Sequence, residues 1–143
     1  MSTAQSHPSG RTLFLSAFTR ACRPRKRVTV SQWADENRML TSKSSGVPGP
    51  WRTSRVPPAR EIMDCLSVTS PVRSVSLMKA GQIFGTEIAL NWVGYVMDHA
   101  PAPMLVVVPD LNVRGRWVKQ RLDPMLETTP ALAKIFNVRS RRV

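Results

Sequence analysis

Lys79, Gly81, Gly85 and Thr86 stand close together in the stretch SVSLMKAGQIFGTEIALNWVGYVMD, Ser74 to Asp98. Their types suit one task, the binding of a phosphate group. Glycine lets the backbone approach the anion, an ammonium meets its oxygens, and a hydroxyl at a helix start can ligate Mg²⁺. The lysine precedes the loop and does not stand just before the threonine, as the common pattern has it. A lysine entering from the strand side can still fold its stem across the loop mouth. An ammonium–phosphate pair there is worth about 4 kcal/mol at an effective dielectric near 20. The plainer reading is a strand-to-helix turn whose glycines relieve backbone strain, and spacing by itself leaves both open.

Other residues that could do chemistry are sparser. His7 and His99 are far apart, with no Cys or carboxylate at metal spacing, so a metal centre is not expected. Cys22 and Cys65 make neither a disulfide framework nor a zinc site. Asp98, Asp110, Asp123 and Glu127 have the type needed to hold Mg²⁺ or orient water. Surface charge is the plainer reading of all four. Two basic clusters, RPRKR (Arg23 to Arg27) and Arg114, Arg116, Lys119 and Arg121, could contact phosphates or simply face solvent.

A phosphate loop has to be placed by a strand before it and a helix after it. The pattern VRSVSLMK (Val72 to Lys79) predicts the strand. TEIALNWVGYVMDH predicts the helix, with Ile88, Leu90, Trp92, Val93 and Val96 on its apolar faces. PMLVVVPD (Pro103 to Asp110) predicts a second strand, apolar throughout as in a parallel sheet covered on both faces. LNVRGRWVKQRLDPMLE predicts a further helix, interrupted near Pro124, and PALAKIF a last short one. Strand, helix, strand, helix implies an α/β unit with a right-handed crossover. Two strands make a marginal sheet, and NVRSRRV lies where a third is expected.

Upstream, residues 1–10 read as a disordered tail. Leu13, Phe14, Ala17, Phe18 and Ala21 predict a short helix that Pro24 ends. VTVSQWADENRML predicts a helix capped by Ser31, with Asp35 and Glu36 near its positive end and Trp33, Ala34, Asn37 and Leu40 on one face. The Ser-, Gly- and Pro-rich stretch from Thr41 to Pro58 reads as a long linker anchored by Trp51. AREIMDCLS resumes a helix with Ile62, Met63 and Leu66 inward.

The 143 residues suit one domain, and 42% hydrophobic residues suffice for a core. A net charge of +12 favours a polyanionic partner, nucleic acid or nucleotide. TLFLSAF after Arg11 is too short for a signal peptide, no run approaches a membrane span, and the thiols suit cytosol.

The run from about Ser31 to Phe136 resembles the ATPase end of tailed-phage terminase large subunits of the GpA type. SQWADENRML, PGPWRTSRVPPAREIMDCLS, VSLMKAGQIFGTEIALNWVGYVMDH and PMLVVVPDLNVRGRWVKQRLDPMLETTPAL carry the resemblance, in order. It implies an α/β fold, an incomplete P-loop NTPase of parallel sheet and flanking helices, preceded by a helical, loop-rich N-terminal segment. Residues 1–30 would be a basic, partly disordered arm, and 31–143 the N-terminal part of the ATPase domain. The resemblance further implies a variant Walker A loop for ATP and Mg²⁺. Lys79 would be the phosphate lysine, Ala80, Gly81, Gln82 and Gly85 loop residues, and Thr86 the metal ligand. Phe84 stands where family loops commonly have glycine. Pro58 and Ala59 replace the aromatic–Gln pair that family members often use against adenine.

Implied partners are double-stranded DNA, the terminase small subunit and other large subunits, in the bacterial host cytoplasm. The acidic strand end, coupling motif and nuclease of such motors have no counterpart here. A truncated, prophage-derived ATPase segment that is inactive alone is therefore the expectation. The alternative is a non-enzymatic basic remnant that binds DNA or a partner. A third reading is an orphan fragment that folds poorly and exposes sheet edges.

Overall fold

The computed structural model describes residues 9–22, 26–42, 45–81 and 83–140. The expected tail falls through residue 8 outside them, as do the Pro24 break and part of the RPRKR cluster. Helix α1 spans Gly10–Ala21, with Ser9 as its cap, and none of its residues is buried.

Helix α2 (Val30–Asn37) begins with a capping box. Thr29 Oγ1 accepts from the Gln32 amide, while Gln32 Oε1 accepts from the Thr29 amide at 3.1 Å. Ser31, expected as the cap, instead lies inside the helix and donates to Asp64 Oδ1 at 2.5 Å. Asp35 likewise serves tertiary structure: it accepts from the Thr53 amide at 2.6 Å. The sequence offers two hydroxyls at this turn, Thr29 and Ser31, and burial decides which one caps.

The chain then forms a two-residue ladder. Met39 and Leu40 (β1) pair antiparallel with Gly49 and Pro50 (β2), and Gly49 takes φ 120°, a conformation that favours glycine. Trp51 is buried as expected of an anchor, its indole donating to Thr53 Oγ1 at 3.0 Å. After a 3₁₀ turn, Thr53–Arg55, helix α3 (Pro58–Cys65) starts on Pro58, whose missing N–H costs nothing in a first turn. Its inward face carries Ala59 and Met63, with Ile62 and Leu66 partly covered.

Helix α4 (Gly85–Asp98) is the centre of the core, burying Ile88, Leu90, Val93, Tyr95 and Val96. Trp92, expected on an apolar face, is 37% exposed. The helices α2, α3 and α7 (Pro130–Ser140) pack round α4. Gly94 makes the α2 contact close: a Cβ there would stand 2.9 Å from Trp33 Cζ3. Trp33 donates to Asp98 Oδ2 at 2.8 Å, and the Tyr95 hydroxyl donates to the Val28 carbonyl at 3.2 Å.

The expected α/β architecture is not what the chain forms. Among the described residues the sheet is the two-stranded antiparallel β1–β2 ladder, with no parallel sheet and no strand–helix–strand crossover. Val72–Lys79 and Met104–Val108, expected as strands, form no regular secondary structure and no ladder. The first is exposed throughout, and Leu105 and Val107 in the second are 88% and 80% exposed. The physical reason is that an apolar β-branched run specifies extended backbone and a wish for burial, not a partner. Strand pairing is set by non-local hydrogen bonds, and here α4 buries its face on helices instead.

The interrupted helix expected near Pro124 is present. Helix α5 (Leu111–Trp117) widens into a π-helical turn, Val118–Leu122, before α6 (Asp123–Thr128). Pro124 lacks the amide a continuous α-helix would need there, and the wider turn absorbs the break. The expected third strand is replaced by helix as far as Ser140, with residues 141–143 outside the description.

Candidate functional site

The loop from Lys79 to Phe84 runs over the surface into the N-terminus of α4. Lys79, Ala80 and Gly81 are exposed; Gln82 lies outside the described residues. The Lys79 ammonium donates to the Ala80 carbonyl at 3.3 Å. Its stem lies against the first residue of α4: a Cβ on Gly85 would meet Lys79 Cε at 2.5 Å and Cδ at 2.7 Å. Glycine at position 85 thus leaves the space that the lysine stem occupies. Thr86 follows, exposed, in the first helical turn. The structure therefore brings Lys79 and Gly85 together at the start of α4, with Thr86 the next residue, where the helix dipole favours an anion.

Phe84 anchors this loop. Its ring packs partly buried against the core, and its carbonyl accepts the first α4 hydrogen bond, from Ile88 at 3.0 Å. With φ −18°, it is outside the left-handed region that would favour glycine. The Gly85 amide turns back to the Ile83 carbonyl. Among the described residues no side chain caps α4 at Phe84, which leaves the helix end open.

Behind the loop lies a charge cluster that the sequence does not announce. Arg38, the residue that ends α2, is 2% exposed. Its Nη2 donates to Glu87 Oε2 at 3.1 Å, and its Nη1 donates to the Met39 carbonyl. Arg121 Nη1 stands 3.5 Å from the other Glu87 oxygen. Burial pushes the Arg38 pKa below its ordinary value, and the Glu87 charge and hydrogen bond oppose that shift. Arg121 is legible in the sequence only as one member of a basic cluster. Arg38 has no signal, because nothing in ENRML distinguishes a buried arginine from a surface one.

The carboxylates weighed for catalysis divide. Asp98 holds the Trp33 indole, and Asp110 caps α5 by accepting from the Val113 amide at 2.8 Å. Asp123 lies in the first turn of α6, and Glu127 is exposed. Among the described residues no group of three or more His, Cys, Asp or Glu side chains could hold a metal ion. For Mg²⁺ with a phosphate ligand, the exposed Thr86, in the first turn of α4, has the hydroxyl that suits a single protein oxygen ligand.

Comparison with models of protein families matches residues 45–143 to the phage terminase large subunit gpA ATPase domain. Comparisons with curated proteins and with solved structures give no match. The family match covers the candidate loop and all of α4, and begins downstream of Arg38.

Proposed function

Given that this chain belongs to the phage terminase large subunit gpA ATPase family, we propose that it binds the phosphates of ATP, with Mg²⁺, at the loop entering α4. The single observation that supports this reading is the Lys79 stem lying across Gly85, next to Thr86. A cation and a hydroxyl then flank one helix N-terminus. In this reading Lys79 neutralises phosphate oxygens and Thr86 supplies a metal ligand. Ala80 and Gly81 form the approach, and Phe84 ties the loop to the core; Gln82, assigned to the same loop by the family resemblance, lies outside the described residues. When bound, Mg²⁺ draws charge from the phosphate oxygens.

We assign these residues binding and not turnover. Hydrolysis needs carboxylates for metal and water, and Asp98 and Asp110 are already engaged in structural hydrogen bonds. Adenine recognition is not assigned, since Pro58 and Ala59 offer neither an aromatic face nor an amide.

The test is titration of a fluorescent ATP analogue with Mg²⁺ into wild type and Lys79→Ala. The expected loss is about tenfold or more in affinity, from removing a charge-assisted contact of roughly 1.5–3 kcal/mol. Equal binding by the two proteins overturns the assignment of Lys79.

A second reading is favoured by the exposed Arg114, Arg116 and Lys119 on α5 and its π-helical continuation. These would contact DNA backbone, in keeping with a packaging motor working in the host cytoplasm with a small subunit and other large subunits. Among the described residues no helix is long and apolar enough to cross a membrane.

A further inference from the structure

We infer that Arg38 is a positioning residue for the phosphate site: it draws the Glu87 carboxylate aside and compensates its charge, so that the start of α4 can receive an anion. The inference rests on phosphate binding at that helix start.

Glu87 directly follows Thr86, in the first turn of α4. A carboxylate there is favourable to the helix by itself, because the positive end of the dipole attracts it. It is also a competitor, since the same positive end would serve the phosphate, and two anions close together repel. The structure meets this conflict with two guanidinium groups on one carboxylate. Arg38 takes Oε2 at 3.1 Å and Arg121 stands 3.5 Å from Oε1, so the cluster carries net positive charge.

Arg38 is the fixed member. Its own amide donates to the Ala34 carbonyl at 3.0 Å, and its carbonyl accepts from the Trp51 amide at 2.9 Å. Its side chain is almost wholly enclosed, while that of Arg121 is 40% exposed. Burying a guanidinium is costly, and a core pair could be replaced by apolar residues without loss of stability. Arg38 Nε also lacks a hydrogen-bond partner among the described residues, so the site is not optimised for stability alone. Orientation of Glu87 is what the arrangement achieves.

A merely structural ion pair and a positioning one differ in a double-mutant cycle. The experiment uses the full chain, with Mg²⁺ and a fluorescent ATP analogue, at a temperature where circular dichroism shows each variant folded. Arg38→Met removes the buried one of the two guanidinium groups on Glu87 and leaves its charge to the partly exposed Arg121, so affinity is expected to fall about tenfold. Adding Glu87→Gln removes that charge and is expected to return affinity to within about threefold of wild type. Should Arg38→Met not fold, Arg121→Gln replaces it. The expected drop is then about threefold, again reversed by Glu87→Gln. A folded single variant that binds as wild type does, or a double variant as weak as the single, overturns the inference and leaves the phosphate site standing. Wild type that does not bind the nucleotide overturns the phosphate site and this inference with it.

Discussion

Two glycines on α4 have opposite reasons for being there, and substitution separates them. At Gly94 a methyl group would press into the Trp33 ring, which α2 and the bond to Asp98 hold in place. Gly94→Ala is expected to cost about 1–3 kcal/mol, the range for overpacking, read as a lower midpoint in thermal melting. At Gly85 the methyl crowds the stem of an exposed lysine, which can swing away, and meets Leu77 Cδ2 at an ordinary 3.6 Å. Gly85→Ala is expected to leave the melting midpoint unchanged or slightly raised, since alanine is the better helix former. Its nucleotide affinity should nevertheless drop, because Lys79 loses its seat. Matched affinities for Gly85→Ala and wild type would show that the seat is irrelevant to binding. The glycine pattern around this loop was legible in the sequence. That the glycine spares a lysine stem, and not a strained dihedral, was not.

At the scale of elements, local hydrogen bonding and burial pull in different directions. The capping box at Thr29 is local, and Thr29→Ala should destabilise the chain by about 1 kcal/mol in denaturant melts. Ser31 illustrates the other case. Its type and position predicted a cap, but it lies under α3 and serves Asp64. The two segments that were expected as strands and form no ladder carry the larger consequence. Val75, Leu77, Met78, Leu105 and Val107 all face solvent, and backbone without ladder partners accompanies them. Such segments invite strand-to-strand association. Paired replacement by Leu105→Lys and Val107→Lys is expected to lower concentration-dependent light scattering while shifting stability by no more than about 0.5 kcal/mol. Unchanged scattering would place the association elsewhere.

Charge acts at the scale of the whole molecule. Net +12 over 143 residues gives a field that any polyanion will sense, with or without a shaped site. If the exposed cations of α5 and the π-helical turn meet DNA backbone, affinity should fall linearly in log salt. Replacing Arg114, Arg116 and Lys119 by glutamine should then flatten the slope by about 0.9 for each phosphate that is no longer neutralised. A gel-shift series in which the slope is unaltered would argue that the cluster is a solvated face. If ATP binds at the loop as proposed, the same long-range field acts on it, so salt should weaken that binding too, and less steeply.

The sequence by itself determined most of the helices, because their signals are local: periodic apolar residues, and a proline that forbids the α-helical amide at position 124. It missed the Thr29 cap, the strand pairing of Met39 and Leu40 that follows α2, and the helix that runs to Ser140 where a strand was expected. It also determined the residue types at the loop, the basic balance and, through ordered stretches of resemblance, the family. Only the tertiary structure decided what the extended runs pair with, and here it left them unpaired. It also decided that Arg38 is buried against Glu87 while neighbouring arginines stay in water. Both outcomes depend on contacts between residues far apart in the chain, whose free energies no local pattern of side chains encodes.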